Sequence, residues 1–337
     1  MTATESASAS ATATVAAIKT TSPTTRRAVA FVAEHKTGAE DLGRSLGELT
    51  TDPDAFASAL RTGLVELADP EYVDGVRWVA PGIGAVLGVR WPLIEAVKRG
   101  FRESTRRDRT STWLFVADRL LREPELEQRW FAFGMLERTI ADEPERTWQL
   151  VRRAAREAAD WITVDSLAHV VGKGILAETY RWAELEQLVY SPSRWERRLI
   201  GSTIATTPFV DRRRGREPIV AERGLGLIAQ LIGDDEPDVQ KALAWALRSL
   251  VLVDPSGVAA FCENEAAIAA KASDGHRAWV LRDVLVKLQP ADAAAIRARL
   301  EGIRRRAGAP ASSLASASAA RFGGGMLGRP LPEPPLG

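Results

Sequence analysis

Apolar residues recur along most of the chain at the three- and four-residue spacing of an amphipathic helix. In the segment 159–174 and just beyond it, this spacing gives one stripe, made of Val164, Leu167, Ala168, Val171 and Ile175. The segment 236–253 gives a fuller stripe, made of Val239, Ala242, Leu243, Ala246, Leu247, Leu250 and Val251. The alternation of apolar and polar residues that is typical of β-strands is hard to find. The pattern therefore predicts an all-α protein.

Prolines that stand beside acidic or serine residues divide the chain at regular intervals. They occur in ADPEY, REPELEQ, DEPERTW, SPSRW, DDEPDVQ, DPSGV and QPADAAA, and a segment with helical periodicity follows each. Proline in the first turn with a capping neighbour marks the start of a helix. The intervals Pro124–Pro144 and Pro237–Pro255 each hold one ordinary helix. We predict an α-solenoid of HEAT-like antiparallel helix pairs that forms a concave superhelix, although the sequence has no strict period.

Composition limits the ordered part of the chain. Residues 1–26 are mostly Ala, Ser and Thr, and residues 307–337 are rich in Ala, Ser, Gly and Pro, so we expect two disordered tails around one domain at 27–306. The single cysteine, Cys262, excludes a disulfide framework and fits a reducing compartment. No apolar run approaches the roughly 20 residues of a membrane span. We expect a cytoplasmic protein.

An indole and a carboxylate lie at the edge of the first stripe. On a helix, Trp161, Asp165 and Gly172 fall within about 40° of one another on its flank. This places an aromatic face, a negative charge and a small residue side by side.

The second stripe leaves a tryptophan on the opposite side of its helix. Trp245 shares that side with Lys241 and Arg248, because the core face is already filled. The alternative is that Trp245 is buried against the next helix pair while the two cations solvate the rim.

A third segment, RWERRLIGSTIA at 194–205, repeats the association of cations with a small residue. Arg194, Arg198 and Gly201 lie on one side of it, and the small residue gives clearance for a close backbone such as nucleic-acid phosphate. A solvated charged face explains the same pattern.

Charge is unevenly distributed although the formal net charge is only +1. Acidic residues dominate 37–75, basic residues dominate 96–122, and the segment 190–216 holds seven arginines against two acids. Such polarity suits a polyanion bound on one face.

Several of these segments resemble a known family. WITVD with Gly172 after it, RWERR, and KALAWALR followed by DPSGV resemble, in order, the signature helices of the AlkD-like DNA alkylation-repair glycosylases, which have HEAT-like repeats. VLGVRWPLIEAVKR and EQRWFAFGML resemble two earlier segments of that family, so the likeness spans roughly 55–290. The sequence departs from the family pattern at Ile162, His169 and Gly201.

The resemblance implies roles for individual residues. Asp165 is expected to be the catalytic carboxylate, and Trp161 and Trp245 the aromatic walls around the lesion. Arg198 is expected to contact a phosphate or the lesion, and to be the partner that keeps Asp165 charged. The further DNA contacts that we predict are Arg194, Lys241, Arg248 and Lys173.

The implied activity is hydrolysis of the N-glycosidic bond of cationic alkylated purines in duplex DNA, without base flipping. We expect a monomer associated with the nucleoid. We expect no cofactor and no metal, since His35, His169 and His276 lie far apart without ligand-spaced neighbours. Two alternatives stay open: a non-catalytic protein that binds damaged or branched DNA, and a HEAT scaffold for protein partners.

Overall fold

The structure, a computed structural model, describes residues 22–321, and within this range the chain forms sixteen α-helices and no strand. The helices are α1 (Pro23–Leu46), α2 (Pro53–Glu66), α3 (Pro70–Val79), α4 (Trp91–Ser104), α5 (Thr110–Leu120), α6 (Leu126–Thr139), α7 (Pro144–Glu157), α8 (Trp161–Ala177), α9 (Arg181–Gln187), α10 (Arg194–Val210), α11 (Pro218–Leu231), α12 (Pro237–Leu250), α13 (Pro255–Ala272), α14 (Gly275–Val284), α15 (Pro290–Arg299) and α16 (Leu314–Arg321).

Prolines and side-chain caps define where many of the helices begin. Pro237 and Pro255 open α12 and α13 as predicted. The Asp254 carboxylate accepts the Gly257 N–H at 2.8 Å, which satisfies one of the free donors of the first turn. Pro124 and Pro192 instead stand two residues ahead of α6 and α10, before the N-cap residue of each helix.

The helices pack in two layers. The inner layer consists of α4, α6, α8, α10, α12 and α14, each packed on the next. Outer helices cover it, with α5 against α6, α7 against α8 and α11 against α10. The predicted all-α helical-repeat solenoid is confirmed.

The two predicted apolar stripes form part of the core between the layers. The five stripe residues of α8 are at most 2% exposed. Those of α12 are fully buried except Val251, which is half-buried because it follows the last helical residue. Helical spacing therefore identified the buried faces of both helices.

Two glycines bring inner helices close together. A Cβ on Gly201 of α10 would lie 2.7 Å from the Ala242 carbonyl carbon of α12. A Cβ on Gly172 of α8 would lie 3.3 Å from Val210 of α10. The clearance that the sequence suggested for a phosphate at Gly201 is therefore filled by a neighbouring helix. Nearer the starts of the helices, Arg198 of α10 bonds to Asp165 of α8 and to the Asp238 carbonyl of α12, so the three helices run in the same direction.

Helices are also found on either side of the predicted domain limits of 27 and 306. Helix α1 begins at Pro23, where the Ser22 hydroxyl accepts the Thr25 N–H at 3.1 Å. At the other end, the Ser312 N–H donates to the Gly233 carbonyl at 2.8 Å and α16 packs on α11. Small residues allow this close packing. The rest of each predicted tail, 1–21 and 322–337, lies outside the described residues.

No helix within residues 22–321 combines the length and the apolar character needed to cross a membrane.

Cys262 is buried in α13, and burial raises the pKa of its thiol to about 12.

Candidate active site

A cleft of about 650 Å³ opens on the inner layer, between α4, α6, α8 and α12. Four of the predicted site residues line it together: Trp161, Asp165, Lys173 and Trp245. Three of them lie on α8 and Trp245 lies on α12, and both helices pack on α10, so the stacking of the inner layer brings the four residues together. The cleft is the natural candidate for an active site because a carboxylate and several indoles converge there.

Asp165 lies on α8, one turn after Trp161, and its carboxylate is held by α10. Arg198 donates to it through two nitrogens on one edge of the guanidinium, with Nε–Oδ1 at 3.0 Å and Nη2–Oδ2 at 2.8 Å. The Ser202 hydroxyl donates to Oδ1 at 2.6 Å. These three donors stabilise the negative charge. The side chain remains 19% exposed toward the cleft, so an anion is fixed with one side open.

Arg198 lies beneath the carboxylate. Its side chain is only 6% exposed, and its third nitrogen donates to the Asp238 carbonyl at 2.7 Å. The guanidinium carbon is 5.8 Å from the centre of the Trp161 ring. All three of its nitrogens are thus engaged within the protein. This position matches the expected pairing of Arg198 with Asp165, whereas a phosphate contact would require Arg198 to leave that carboxylate.

The aromatic walls of the cleft are more extensive than the sequence indicated. Trp161 and Trp245 are half-buried, with part of each ring in the cleft. Trp91 of α4 and Trp130 of α6 add a second pair, with ring centres 5.1 Å apart and planes nearly perpendicular. The Trp130 indole N–H donates to the Ser166 hydroxyl at 2.9 Å, which ties this wall to the helix of Asp165.

Sequence reasoning did not place Trp91 and Trp130 in the site. The signal was present, because both residues stand in the two early segments that resemble the glycosylase family. Helical periodicity could not reveal it, since α4 and α6 reach the cleft only through the stacking of the inner layer.

Cations surround the aromatic part of the cleft. Lys98 lies 4.7 Å from the centre of the Trp91 ring and donates to Glu95 at 3.0 Å. Lys173 donates to Glu137 at 2.9 Å, so its predicted DNA contact competes with an internal ion pair. Partly exposed ion pairs of this kind contribute little free energy.

Two further cations, Arg102 and Arg138, lie at the exposed edge of the cleft. Burial and the neighbouring charge of Arg102 lower the pKa of the Arg138 guanidinium. Like charges held together in this way form a local positive potential that attracts anions.

The other predicted DNA contacts lie outside this cleft. Arg194 and Lys241 line a smaller pocket of about 240 Å³, and Trp161 lines both cavities. Lys241 is exposed, whereas Arg194 lies 3.5 Å from Glu236 and stacks on Trp195.

Arg248 is separate from both cavities. It lies near the end of α12 and forms an ion pair with Asp283 of α14. The structure therefore brings Arg194 and Lys241 together beside Trp161 and leaves Arg248 at the opposite end of α12.

His169 also lines the cleft, one turn beyond Asp165. Burial lowers the pKa of its imidazole, and the nearby charges of Lys173 and Lys98 lower it further, while Glu137 raises it. The ring is therefore neutral at pH 7. No other residue in the described range forms a hydrogen bond with this side chain.

Residues 22–321 contain no group of three or more His, Cys, Asp or Glu side chains arranged to hold a metal ion.

The protein is thus a helical-repeat solenoid whose inner layer holds a fixed carboxylate in an aromatic cleft with cations at its edge. A family described as DNA alkylation repair enzyme matches residues 60–283 of the chain, which is more than half of its 337 residues. The chain belongs to this family of AlkD-like DNA alkylation repair enzymes. The match runs from α2 to α14 and includes every helix that lines the cleft. No curated protein matches the chain.

Proposed function

We propose that the protein is a DNA glycosylase of base-excision repair. It hydrolyses the N-glycosidic bond of purines that carry a positive charge after alkylation at N3 or N7, such as N3-methyladenine and N7-methylguanine. The observation that carries the proposal is the Asp165 carboxylate, which Arg198 and Ser202 hold in an open, indole-lined cleft.

The charge of the lesion determines the chemistry that the cleft has to provide. When the bond between C1′ and the base nitrogen breaks, its electron pair goes to the base, which leaves as a neutral purine. The deoxyribose then carries oxocarbenium character, and water attacks C1′ and loses a proton. Asp165 stabilises the sugar cation and orients the attacking water or accepts its proton. A fixed anion achieves this without reorganising solvent during the reaction.

The indoles recognise the positive charge of the base. Trp161 and Trp245 each contribute a cation–π attraction of about 0.5 to 2 kcal/mol, depending on desolvation. Trp91 and Trp130 extend the apolar wall on the far side of the cleft. A neutral, unmodified purine gains none of the electrostatic part of this attraction.

The open shape of the cleft supports action on a base that stays in the duplex. A flipped nucleotide is normally read in an enclosing pocket. Here the site lies along the inner surface, between helices, and Asp165 faces it from the side. Discrimination then comes from the charge and the lability of the lesion itself. The protein acts as a monomer on nucleoid DNA in the cytoplasm under this proposal.

The decisive experiment measures base release. Purified protein is incubated with duplex DNA methylated by dimethyl sulfate, and released N3-methyladenine and N7-methylguanine are separated and quantified. Release well above spontaneous depurination, measured in a parallel sample without protein, is the expected result. Release at the spontaneous rate would overturn the proposal.

One observation favours a second function, which is binding of damaged or branched DNA without excision. Arg198 partly neutralises the charge of Asp165, and a binding protein tolerates this better than a catalyst does. That function predicts tight, salt-sensitive DNA binding and no base release. A scaffold for protein partners predicts neither release nor steep salt dependence, so the same two measurements separate all three.

A further inference from the structure

The turn that follows α10 concentrates positive charge outside the cleft. We call residues 211–216, with the sequence DRRRGR, the arginine turn. It connects the inner helix α10 to the outer helix α11. Four arginines lie within it, and Asp211 and the following Glu217 reduce the local net charge to +2.

The arginine turn has a fixed backbone. The Asp211 carboxylate accepts the N–H groups of Arg213 and Arg214, both at 2.9 Å, and these bonds lower the pKa of Asp211. The Gly215 N–H donates to the Asp211 carbonyl at 2.8 Å. Gly215 is buried directly against the Thr207 carbonyl of α10, where no side chain would fit. The carboxylate of Asp211, the only acid in the turn, therefore accepts hydrogen bonds from the backbone of the turn.

The first three arginines of the turn are free to bind a ligand. Arg212, Arg213 and Arg214 are exposed, and none lies within 4.0 Å of a carboxylate anywhere in residues 22–321. Arg216 differs, because its Nε donates to the Pro208 carbonyl at 3.2 Å. Most arginines on α4 to α10 have an acidic partner. The turn differs in presenting three consecutive exposed guanidiniums without one among the described residues, a property that Arg106, Arg107 and Arg109 between α4 and α5 share only in part, since Asp108 interrupts them.

The turn lies at one edge of the inner layer, beyond the cleft. The end of α10 contacts α8 at Gly172, next to Lys173 of the cleft. Twelve residues of helix separate Arg198 from Val210, which is about 18 Å along α10. This distance is larger than the width of the major groove of DNA, which is about 12 Å. The turn is therefore too far from Asp165 to touch a base that lies beside that carboxylate.

We propose that Arg212, Arg213 and Arg214 form a preorganised clamp for the phosphates of duplex DNA beside the lesion. The clamp contributes affinity and leaves the chemical step unchanged. This inference rests on the proposed function only in taking duplex DNA as the partner. Because the clamp binds phosphates, its contribution can be measured with undamaged DNA, where no base is released. A rigid turn that presents three guanidiniums loses little conformational entropy on binding, which favours phosphate over a mobile acidic peptide.

The test compares two triple variants. Arg212→Ala, Arg213→Ala and Arg214→Ala are combined in one protein. The matched control combines Arg146→Ala, Arg152→Ala and Arg156→Ala on the outer helix α7, which removes the same charge. Dissociation constants for an undamaged duplex are measured over a range of salt concentrations.

We expect the slope of log K against log salt to fall by about 2.7 in the turn variant, for three phosphate contacts at about 0.9 each. The control should retain the wild-type slope. A triple Arg→Lys variant of the turn should retain most of the slope, which guards against misfolding of the alanine protein. Single-turnover base release at saturating protein should be unchanged in all of them.

Two results would overturn the clamp. One is an equal change of slope in the turn and control variants, which would reduce the effect to net charge. The other is slower base release at saturation in the turn variant. Absence of base release in the wild type, with the slope difference intact, would contradict the glycosylase proposal and leave the clamp standing.

Discussion

Two arginines that are neighbours on α10 each bind a carboxylate, and the two pairs differ in their surroundings. Arg198 holds Asp165 in the cleft, and Arg197 holds Asp234 with its Nε at 2.7 Å. The Asp165 side chain is 19% exposed, whereas that of Asp234 is 3% exposed. Asp234 also accepts the Glu236 N–H at 2.9 Å, ahead of α12.

The comparison separates what a buried ion pair does for the fold from what it offers to a ligand. Both pairs join α10 to another part of the solenoid, and both carboxylates accept several hydrogen bonds. Only Asp165 faces a cavity, and indoles line that cavity. The surroundings of Asp165, and not its pairing with an arginine, therefore make it a candidate catalytic group, since both aspartates have such a pairing.

The largest expected effect is on excision after removal of the cleft charge. Asp165→Asn keeps the shape of the side chain and removes the anion that stabilises the sugar cation. Base release should fall by roughly 100- to 1000-fold, the usual cost of losing a preorganised electrostatic contact. Single-turnover release from methylated duplex measures it, and duplex affinity should stay near that of the wild type.

Asp234→Asn is the control for that variant. Both substitutions remove one charge beside an arginine of α10, and each should reduce the free energy of unfolding by about 1 to 3 kcal/mol. Base release should survive in Asp234→Asn. If both variants lose release in proportion to stability, Asp165 has a structural role and the assignment is wrong.

The arginines themselves give the next largest effect. Arg198→Lys leaves one ammonium where a guanidinium made two parallel bonds to Asp165, so the carboxylate loses its fixed orientation. We expect base release to fall by about 10- to 100-fold, for a loss of roughly 1.5 to 3 kcal/mol. Arg197→Lys should change stability alone. Circular dichroism melting and release kinetics of both proteins make the comparison, and equal kinetic losses would contradict it.

A tryptophan of the cleft should show a smaller and more selective effect. Trp245→Ala removes one cation–π partner, so binding of a cationic lesion should weaken by about 2- to 30-fold more than binding of undamaged DNA. Trp279 on α14 is also half-buried but does not line the cleft, and Trp279→Ala serves as the control. Equal losses for damaged and undamaged DNA would assign Trp245 to the scaffold.

The smallest effect concerns pH. The pKa of His169 is lowered from its usual 6.5, chiefly by burial, so the folded protein resists protonation that the unfolded chain accepts. The corresponding stability is present above about pH 6.5 and is lost as the pH falls below it. Between about pH 7.5 and about pH 5.5, the melting temperature should fall more in the wild type than in His169→Gln. Parallel pH dependence in the two proteins would contradict this.

Periodicity predicted the buried faces of α8 and α12 because each face is a local property of one helix. It could not predict that Trp91 joins Trp245 in one cleft, because their helices are far apart in sequence and meet only through stacking. The burial of Arg198 also depends on a partner from another helix, the Asp238 carbonyl. Composition likewise could not reveal that Ser312 bonds to Gly233, because the two residues are distant in sequence.

The contact of Gly201 with Ala242 has a consequence for the dimensions of the cleft. Because main chain meets main chain there, the distance between α10 and α12 is set at a position with no side chain to adjust it. Asp165 is anchored to α10 and Trp245 belongs to α12, so that distance also fixes how far the anion lies from the indole. A single methyl group at Gly201 would therefore widen the gap available to a base without altering any residue that touches it.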